Sequence, residues 1–486
     1  MLRDALGRAD LSLDQLWLRY FAVGGSAGQI ELEAYLEDLM PLAATERDML
    51  AIAVNERLDE LMWPHRVPYA NSVHEPLPIS GPLTALADLL ETARNSPSEH
   101  LPTLAARAGR ALGIDINIYL VDDDQRTLVP VTPRASDSVA NPPPMPLPIE
   151  ATLAGQAFRQ VTTTISDTDG AAKLWVPLVD DTERLGVLEV ILDSAQQTHD
   201  PALRQHCEWL AALLAHLITL ANRYGDRLDA HRRNHPRTPA ADLIRTLVPP
   251  TSAAVPGVTL AAATEPSDKA GGDAYDYALS ATTAHLALFD AMGSDFNAGL
   301  IAATVLASSR AARRDGRDLH EQASAVDQLL ADTFGAGTFA TGILAELDLT
   351  NGVLRYLSAG HPTPLLLRDR KVVKRLADGR RAPFGLDNPE ANIAEANTSE
   401  EQLQPGDWIV LHTDGVTEAR HPNGTLFGDQ HLTDFLEREA ATQHAAPETV
   451  RRLIHAVLEH QHGRLDDDAT VLLARWQPPP PRQPNQ

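Results

Sequence analysis

Four acidic clusters in the C-terminal half constrain this chain more than any other feature of its sequence. Each cluster places an aspartate beside a short apolar run that predicts a β-strand, in the order GGDAYDY (271–277), LFDAMG (288–293), LHTDGVTEA (411–419) and DDAT (467–470). Carboxylates at the ends of several strands can meet in one pocket, and such a pocket suits hard divalent cations. Two cations held there suit the hydrolysis of a phosphate ester.

The strand-end acids are Asp273, Asp290, Asp414 and Asp467. They predict a site for two Mg²⁺ or Mn²⁺ ions, with the backbone carbonyl of Ala291 and water completing octahedral shells. Two ions roughly 3.5–4 Å apart would lower the pKa of a bridging water, and the hydroxide would attack phosphorus in line without a protein nucleophile. Taken singly, each cluster is also an ordinary turn. Only their order and their shared strand context favour the metal site.

The charge of the chain argues against nucleic acid as a partner. The 486 residues include 66 acidic and 41 basic side chains, a formal charge of −25. Binding to DNA or RNA needs a basic face for the phosphates, so we expect no nucleic-acid role. The length predicts two to four domains.

Cysteine usage and hydropathy indicate a cytoplasmic protein. Cys207 is the only cysteine, so no intramolecular disulfide can form. The first fifteen residues lack the apolar core of a signal peptide. The longest apolar stretch, 209–220, is shorter than the roughly 20 residues that span a bilayer. We therefore expect no membrane segment.

Changes in composition divide the chain into six parts. We predict a helical N-terminal region over residues 1–75, a proline-rich linker ending near residue 82, an α/β unit over 83–220, a connecting helix over 221–246 with a break near Pro236, an α/β domain over 247–477 and a disordered tail over 478–486. Ser12 is a predicted helix cap. The predicted fold class is therefore α+β and multidomain.

The unit over 83–220 resembles a GAF-type sensory domain. The resemblance lies in a helix with the sequence GQAF (155–158) and in two strands, LWVPL (174–178) and RLGVLEVIL (184–192). It implies a small-molecule or protein signal and, with the apolar helix over 209–220, a homodimer. Any small α/β domain could show the same pattern. No clustered histidines or cysteines indicate a haem or a covalent chromophore.

The C-terminal half resembles the metal-dependent protein phosphatase 2C (PPM) family, and within it the bacterial sporulation stage II protein E branch. The resemblance runs from Leu243 to Trp476 through the following segments: LIRTLVPP (243–250), the four acidic clusters, FATGILAELD (339–348), YLSAGHPTPLLL (356–367), PFGL (383–386), LQPGDWIVLHTDGVTEAR (403–420) and DDDATVLLARW (466–476). It implies a PPM-type sandwich of two central sheets between helices, with metals at one edge. It also implies a protein serine/threonine phosphatase whose substrate is a phosphorylated anti-sigma factor antagonist.

The resemblance assigns roles to the acids. Asp273 and Asp290 would hold both metals with the Ala291 carbonyl, whereas Asp414 and Asp467 would each help to hold one ion. Asp276 would be an outer contact, and Asp468 would orient water.

One segment departs from the family pattern. The chain reads Gly-Ser-Asp at 293–295, where many relatives have glycine, a basic residue and glycine. The extra acid, Asp295, is expected near the metals.

Five further residues invite a functional interpretation, but local structure and packing explain them better. His361 is predicted to be a turn histidine that bonds to the backbone, rather than a substrate contact. Thr338 and Thr341 are expected to face the sheet packing. Trp175 and Trp209 are expected in the core.

Two other functions fit parts of the sequence. GGDAY (271–275) superficially resembles the GGDEF signature of diguanylate cyclases, but that signature needs an acid where Ala274 stands and does not predict the later clusters. A non-enzymatic sensor with a phosphatase-like interaction domain is the other alternative. The presence of all four acids argues against it.

Overall fold

The protein is described from a computed structural model. The described residues are 5–6, 9, 11–37, 39–60, 82–94, 96–132, 144–168, 171–266, 271–386 and 398–478. The predicted linker lies outside them apart from Pro82, and so does the predicted tail apart from Pro478.

The N-terminal region is helical where it is described. Its helices are α1 (Leu13–Ala22), α2 (Gln29–Leu36) and α3 (Ala44–Glu60). The predicted cap is present: the hydroxyl of Ser12 accepts the backbone N–H of Gln15, and the Gln15 side chain accepts the N–H of Ser12. The three helices share a small core of their own, which includes Leu16, Tyr20, Leu32, Leu50 and Val54.

The middle unit is an antiparallel sheet of six strands with helices against it. Its helices are α4 (Pro82–Ala93), α5 (Leu101–Ala111), α6 (Leu153–Gln160) and α7 (Pro201–Ala221), with 3₁₀ turns at Ser98–His100 and Ala195–His199. Its strands are β1 (Asp115–Val121), β2 (Thr127–Val131), β3 (Leu147–Pro148), β4 (Thr164–Thr168), β5 (Ala171–Asp180) and β6 (Glu183–Leu192), in the order β3-β2-β1-β6-β5-β4. The main core lies between this sheet and α4, α5 and α7.

Sequence periodicity found the central strands of this unit and missed its edges. The hairpin of β5 and β6 turns at Asp181, as expected from the sequence. Strands β2, β3 and β4 are short or interrupted by proline, which weakens their alternation. Trp175 is buried, as predicted, but Trp209 is 43% exposed because it lies on the outer side of α7, so the core prediction for Trp209 is wrong.

The connecting segment is two helices rather than one. Helix α8 (Arg227–Arg232) and helix α9 (Pro239–Leu247) are separated by an extended stretch around Pro236. The predicted break is therefore present, and it is wide enough to turn the chain. Helix α9 then leads through Pro249 and Pro250 into the C-terminal domain.

The C-terminal domain alternates strand groups with helix pairs. Its strands are β7 (Ser252–Val255), β8 (Gly257–Glu265), β9 (Asp273–Leu279), β10 (Thr283–Ala291), β11 (Ala340–Asp348), β12 (Val353–Ala359), β13 (Leu365–Arg368), β14 (Lys371–Arg375), β15 (Arg380–Arg381), β16 (Ser399–Gln402), β17 (Trp408–His412) and β18 (Ala469–Gln477). Its helices are α10 (Phe296–Arg314), α11 (Leu319–Phe334), α12 (Asp414–Thr417), α13 (Gly428–Thr442) and α14 (Ala446–His460).

These strands form two sheets that pack face to face. The first sheet has the order β15-β12-β11-β10-β9, with β16 beside β12, and the second has the order β14-β13-β17-β18-β8-β7. Apolar side chains from both sheets fill the space between them. Helices α10 and α11 cover the outer face of the first sheet, and α13 and α14 cover that of the second. The predicted sandwich of two central sheets between helices is therefore present in the described residues.

A transmembrane segment was not expected from the sequence. Among the described helices, none combines the length and the apolar character needed to cross a bilayer.

Candidate functional site

The first pair of acids lies on neighbouring strands of the first sheet. Asp273 is the first residue of β9 and lies directly opposite Asp290 near the end of β10. Side chains alternate between the two faces of a strand. Asp273 therefore shares the inner face with Tyr275, and Asp290 shares it with Leu288, both of which belong to the core between the sheets.

The second pair comes from the second sheet, where β17 and β18 are adjacent. Asp414 follows β17 and opens helix α12, while Asp467 immediately precedes the turn into β18. The same alternation places Thr413 on the inner face with Leu411, and Asp468 on the inner face with Leu472. The four acidic clusters therefore converge at one edge of the sandwich.

Glycine allows two close approaches at this edge. A Cβ on Gly272 would lie 2.9 Å from the carbonyl oxygen of Ala291, and one on Gly415 would lie 2.0 Å from the carbonyl oxygen of Asp468. Any other residue would push these backbone segments apart. Because these positions are glycine, the first acidic cluster can pack closely against the second, and the third against the fourth.

The acids are close enough to destabilise one another's charged forms. Burial, followed by the negative charges of Asp290 and Asp468, raises the pKa of Asp273 well above its ordinary value. Burial and then Asp414, Asp467 and Asp468 raise the pKa of Asp290 to about 7. Burial and Asp467 also raise the pKa of Asp414.

No described lysine or arginine forms an ion pair with Asp273, Asp290, Asp414 or Asp467. Buried carboxylates that repel one another need a cation, and an all-oxygen donor set is what Mg²⁺ and Mn²⁺ prefer. Within the described residues, no three acidic, histidine or cysteine side chains are already spaced to hold one ion together. The donor chemistry of the four carboxylates fits divalent cations.

Asp276 lies away from this centre, although the sequence placed it near the metals. It follows Asp273 by three residues and therefore points to the opposite face of β9. There it accepts hydrogen bonds of 2.7 Å from Arg310 and from Arg313 of α10. The second acid of the first cluster is thus one half of a buried ion-pair group.

Asp468 is more central than the sequence indicated. It is buried, and its carboxylate accepts the backbone N–H of Gly272 at 2.9 Å, which ties the fourth cluster to the first. Asp467 is exposed and accepts the N–H of Asp468 at 2.9 Å.

The departure at 293–295 has a structural explanation. The carboxylate of Asp295 accepts the backbone N–H groups of Asn297 and Ala298 at 2.9 and 3.3 Å, so it caps the N-terminus of α10. The extra acid stabilises a helix start beside the site.

His361 bonds to the backbone of His412, as predicted, and also contacts a side chain. It is buried, and its Nδ1 lies 2.8 Å from the hydroxyl oxygen of Thr341. Thr341 lies directly opposite Asp290 on β11 and shares its inner face. Burial lowers the pKa of His361 to about 3, so the ring is neutral. Thr341 does face the packing between the sheets, as expected, but at the acidic edge.

Sequence reasoning missed Thr413 as well. This side chain is fully buried, and its hydroxyl donates a 2.8 Å hydrogen bond to Asp273. The available signal was the alternation of β17: Ile409 and Leu411 face inward, so residue 413 must also face inward if the strand is continued.

Part of the C-terminal domain matches a known protein family. Residues 280–477 match the family model described as Stage II sporulation protein E (SpoIIE). The chain is 23% identical over 233 residues to the phosphoserine phosphatase RsbU of Bacillus subtilis, which is 48% of this chain and 66% of that protein. It is 29% identical over 136 residues to protein IcfG of a Synechocystis strain, covering 28% of this chain and 20% of IcfG. The chain thus spans less than two thirds of the length of these curated relatives.

Solved structures are also similar to part of the chain. The RsbU and RsbW domains of Rv1364c from Mycobacterium tuberculosis align at 25% identity with a TM-score of 0.41, covering 48% of this chain and 63% of that one. The SiaA PP2C domain of Pseudomonas aeruginosa aligns at 24% identity with a TM-score of 0.39, covering 44% and 85%.

Proposed function

We propose that this chain is a metal-dependent protein serine/threonine phosphatase, since residues 280–477 match the SpoIIE family model and the chain is similar to the phosphoserine phosphatase RsbU. The observation that carries the proposal is the meeting of Asp273, Asp290, Asp414 and Asp467 at one edge of the sandwich, with no described basic side chain to neutralise them. Phosphoserine and phosphothreonine on a protein are the proposed substrates.

The proposed metal ligands come from both sheets. Asp273 and Asp290 lie centrally and would hold both of two Mn²⁺ or Mg²⁺ ions, with the backbone carbonyl of Ala291. Asp414 and Asp467 would each help to hold one ion from the second sheet. Bound divalent ions lower the pKa of water and neutralise phosphate charge, which is the chemistry that these residues lack by themselves.

The position of the acids supports a protein substrate. Asp273 is deeply buried, whereas Asp467 is exposed, so the site opens at the sandwich edge rather than inside a closed cavity. A phosphorylated side chain on a folded protein can reach such an edge. The family resemblance favours a phosphorylated anti-sigma factor antagonist, in a cytoplasmic signalling pathway.

The test is hydrolysis of p-nitrophenyl phosphate and of a phosphoserine protein by the full chain, with Mn²⁺, Mg²⁺ or EDTA. We expect activity with a metal only. Asp290→Asn and Asp414→Asn should each lose more than about 100-fold, since even outer contacts of a metal cost 10–100-fold. Asp466→Asn is the matched control, because this exposed neighbour of Asp467 bonds only to Gln461 among described side chains.

An inactive wild-type chain with every metal and both substrates would overturn the proposal. It would favour a phosphatase-like domain that only binds other proteins.

We further propose that the middle unit is a GAF-like sensory domain that regulates the phosphatase. Arg184 of the middle unit donates to Glu448 of α14 at 3.0 Å, and both side chains are buried. Arg451 of α14 bonds to Glu448 and to Glu150 of the middle unit. Breaking such buried pairs is costly, so the two units are strongly coupled in this arrangement.

Helix α14 connects this interface to the acids. It packs on β8 and β18 and ends shortly before Asp467. A change in the middle unit could therefore shift the fourth cluster. A chain of residues 222–486 assayed beside the full chain tests this: an unchanged Mn²⁺-dependent rate would exclude regulation by residues 1–221. The homodimer stays a prediction, which the mass of the full chain in solution would check.

A further inference from the structure

We propose that Thr413 and Thr341 are positioning residues, each of which fixes one of the two central aspartates for metal binding. The inference rests on the proposed function, because it concerns the same metal centre. Thr413 holds Asp273 from the second sheet, and Thr341 holds Asp290 from the neighbouring strand.

The hydrogen bonds of Thr413 leave its hydroxyl proton one good acceptor. Its oxygen accepts the backbone N–H of Thr470 at 3.0 Å, and its O–H lies 2.8 Å from Oδ2 of Asp273. The carbonyl of Asp468 is the alternative acceptor, at 3.5 Å. The shorter, charge-assisted bond is the stronger one. Thr413 therefore orients Asp273 from a fully buried position, where water cannot replace it.

Thr341 makes the corresponding contact with Asp290. The two residues are directly opposite on β11 and β10, and a hydrogen bond from Thr341 favours the charged form of Asp290. Nδ1 of the buried His361 ring also lies 2.8 Å from the Thr341 hydroxyl, so the ring limits the directions in which that hydroxyl can point.

The consequence is that Thr413 restrains Oδ2 of Asp273, so this carboxylate keeps one orientation at the acidic edge. Side chains that orient metal ligands in this way typically change metal affinity 10–100-fold when they are removed. They also keep repelling carboxylates from turning away from each other before a metal arrives.

The experiment measures Mn²⁺ binding to the full chain by isothermal titration calorimetry without substrate. Thr413→Val and Thr341→Val remove the hydroxyl and keep the shape, and we expect affinity to fall about 10–100-fold in each. Thr413→Ser and Thr341→Ser keep the hydroxyl and should stay within about threefold, since the donor is unchanged.

Thermal melts in EDTA show whether each variant is folded. Valine variants that bind Mn²⁺ like the wild type would overturn the proposal, and so would serine variants as weak as the valine ones, because packing would then be the cause. If one valine variant does not fold, the valine and serine variants of the other threonine provide the test.

A different result would refute the proposed function. Wild-type protein that binds Mn²⁺ but hydrolyses no phosphate ester would refute the phosphatase and leave the positioning roles to be judged on binding. Wild-type protein that binds no Mn²⁺ would overturn the positioning roles themselves.

Discussion

Asp273 and Asp276 differ by three positions and have opposite roles. The first faces the other sheet and meets Asp290, whereas the second faces α10 and meets two arginines. Both acids belong to the same motif. They differ because side chains at odd and even positions of β9 point to opposite faces of the sheet. The sequence around Asp468 is a run of three aspartates that is typical of a solvated turn. In the structure, however, Asp468 is buried and bonded to Gly272.

The first prediction concerns Asp276. Asp276→Ala should lower the free energy of unfolding by about 3–5 kcal/mol, because it leaves the mostly buried Arg310 and Arg313 without their carboxylate. Urea denaturation in EDTA measures the loss. Glu400→Ala is the control: it breaks an exposed pair with Arg355 and should cost less than about 1 kcal/mol. Equal losses would show that Asp276 contributes no more than a surface pair.

At the scale of elements, apolar alternation and helical periodicity located most of the C-terminal domain. The apolar runs beside the second, third and fourth acidic clusters correspond to β10, β17 and β18. Strand β9 was not predicted, because it begins at a Gly-Gly-Asp sequence that is typical of a turn. Helix α13 was also missed, although Leu432, Phe435 and Leu436 are buried and have helical spacing.

Two glycines of the C-terminal domain allow helix α9 to pack closely against it. A Cβ on Gly271 would lie 2.6 Å from Cβ of Ala240, and one on Gly299 would lie 2.9 Å from the same atom. Gly271 belongs to the first acidic cluster, and Gly299 lies in the first turns of α10. The connecting helix therefore packs directly against two elements that position the acids.

The second prediction tests this contact. Alanine normally stabilises a helix by about 1 kcal/mol relative to glycine. Gly299→Ala should instead destabilise the protein by about 1–3 kcal/mol, because its Cβ would overlap with Ala240. In an Ala240→Gly background the same change should be neutral or stabilising, as a double-mutant cycle followed by urea denaturation would show. A gain in stability from Gly299→Ala alone would mean that α9 is not held there.

At the scale of the whole molecule, charged groups of the middle unit and the C-terminal domain meet at an interface. Asp123 pairs with Arg237 and Arg245 of the connecting segment, and the carbonyl of Asp124 contacts His455 of α14. Glu265 at the end of β8 is near the same acids. Burial, then Asp124, opposed by Arg126, raises the pKa of Glu265 to about 7.

The third prediction follows from that shift. The carboxyl of Glu265 holds its proton more tightly in the folded chain than in the unfolded one, whose pKa is about 4.5. Its contribution to stability is therefore complete below pH 4.5, falls as the pH rises toward 7, and is constant above that. Glu265→Gln should melt like the wild type near pH 5 and be more stable at pH 8, by at most about 3 kcal/mol.

Calorimetric scans at both pH values measure the difference. Glu400→Gln serves as the control for charge removal at an exposed site. A Glu265→Gln variant with the same advantage at pH 5 and pH 8 would contradict the prediction, since the effect would not then depend on the proton.

The sequence by itself determined the four candidate acids and most of the scaffold beside them, because local alternation of apolar residues predicts the strands next to Asp290, Asp414 and Asp467, although not the strand that begins at Asp273. Tertiary structure decided which neighbours join them. Thr413 reaches Asp273 from 140 positions away, and Arg310 neutralises Asp276 across 34 positions. Such contacts depend on how two sheets and a helix stack, and local periodicity contains no information about which faces meet.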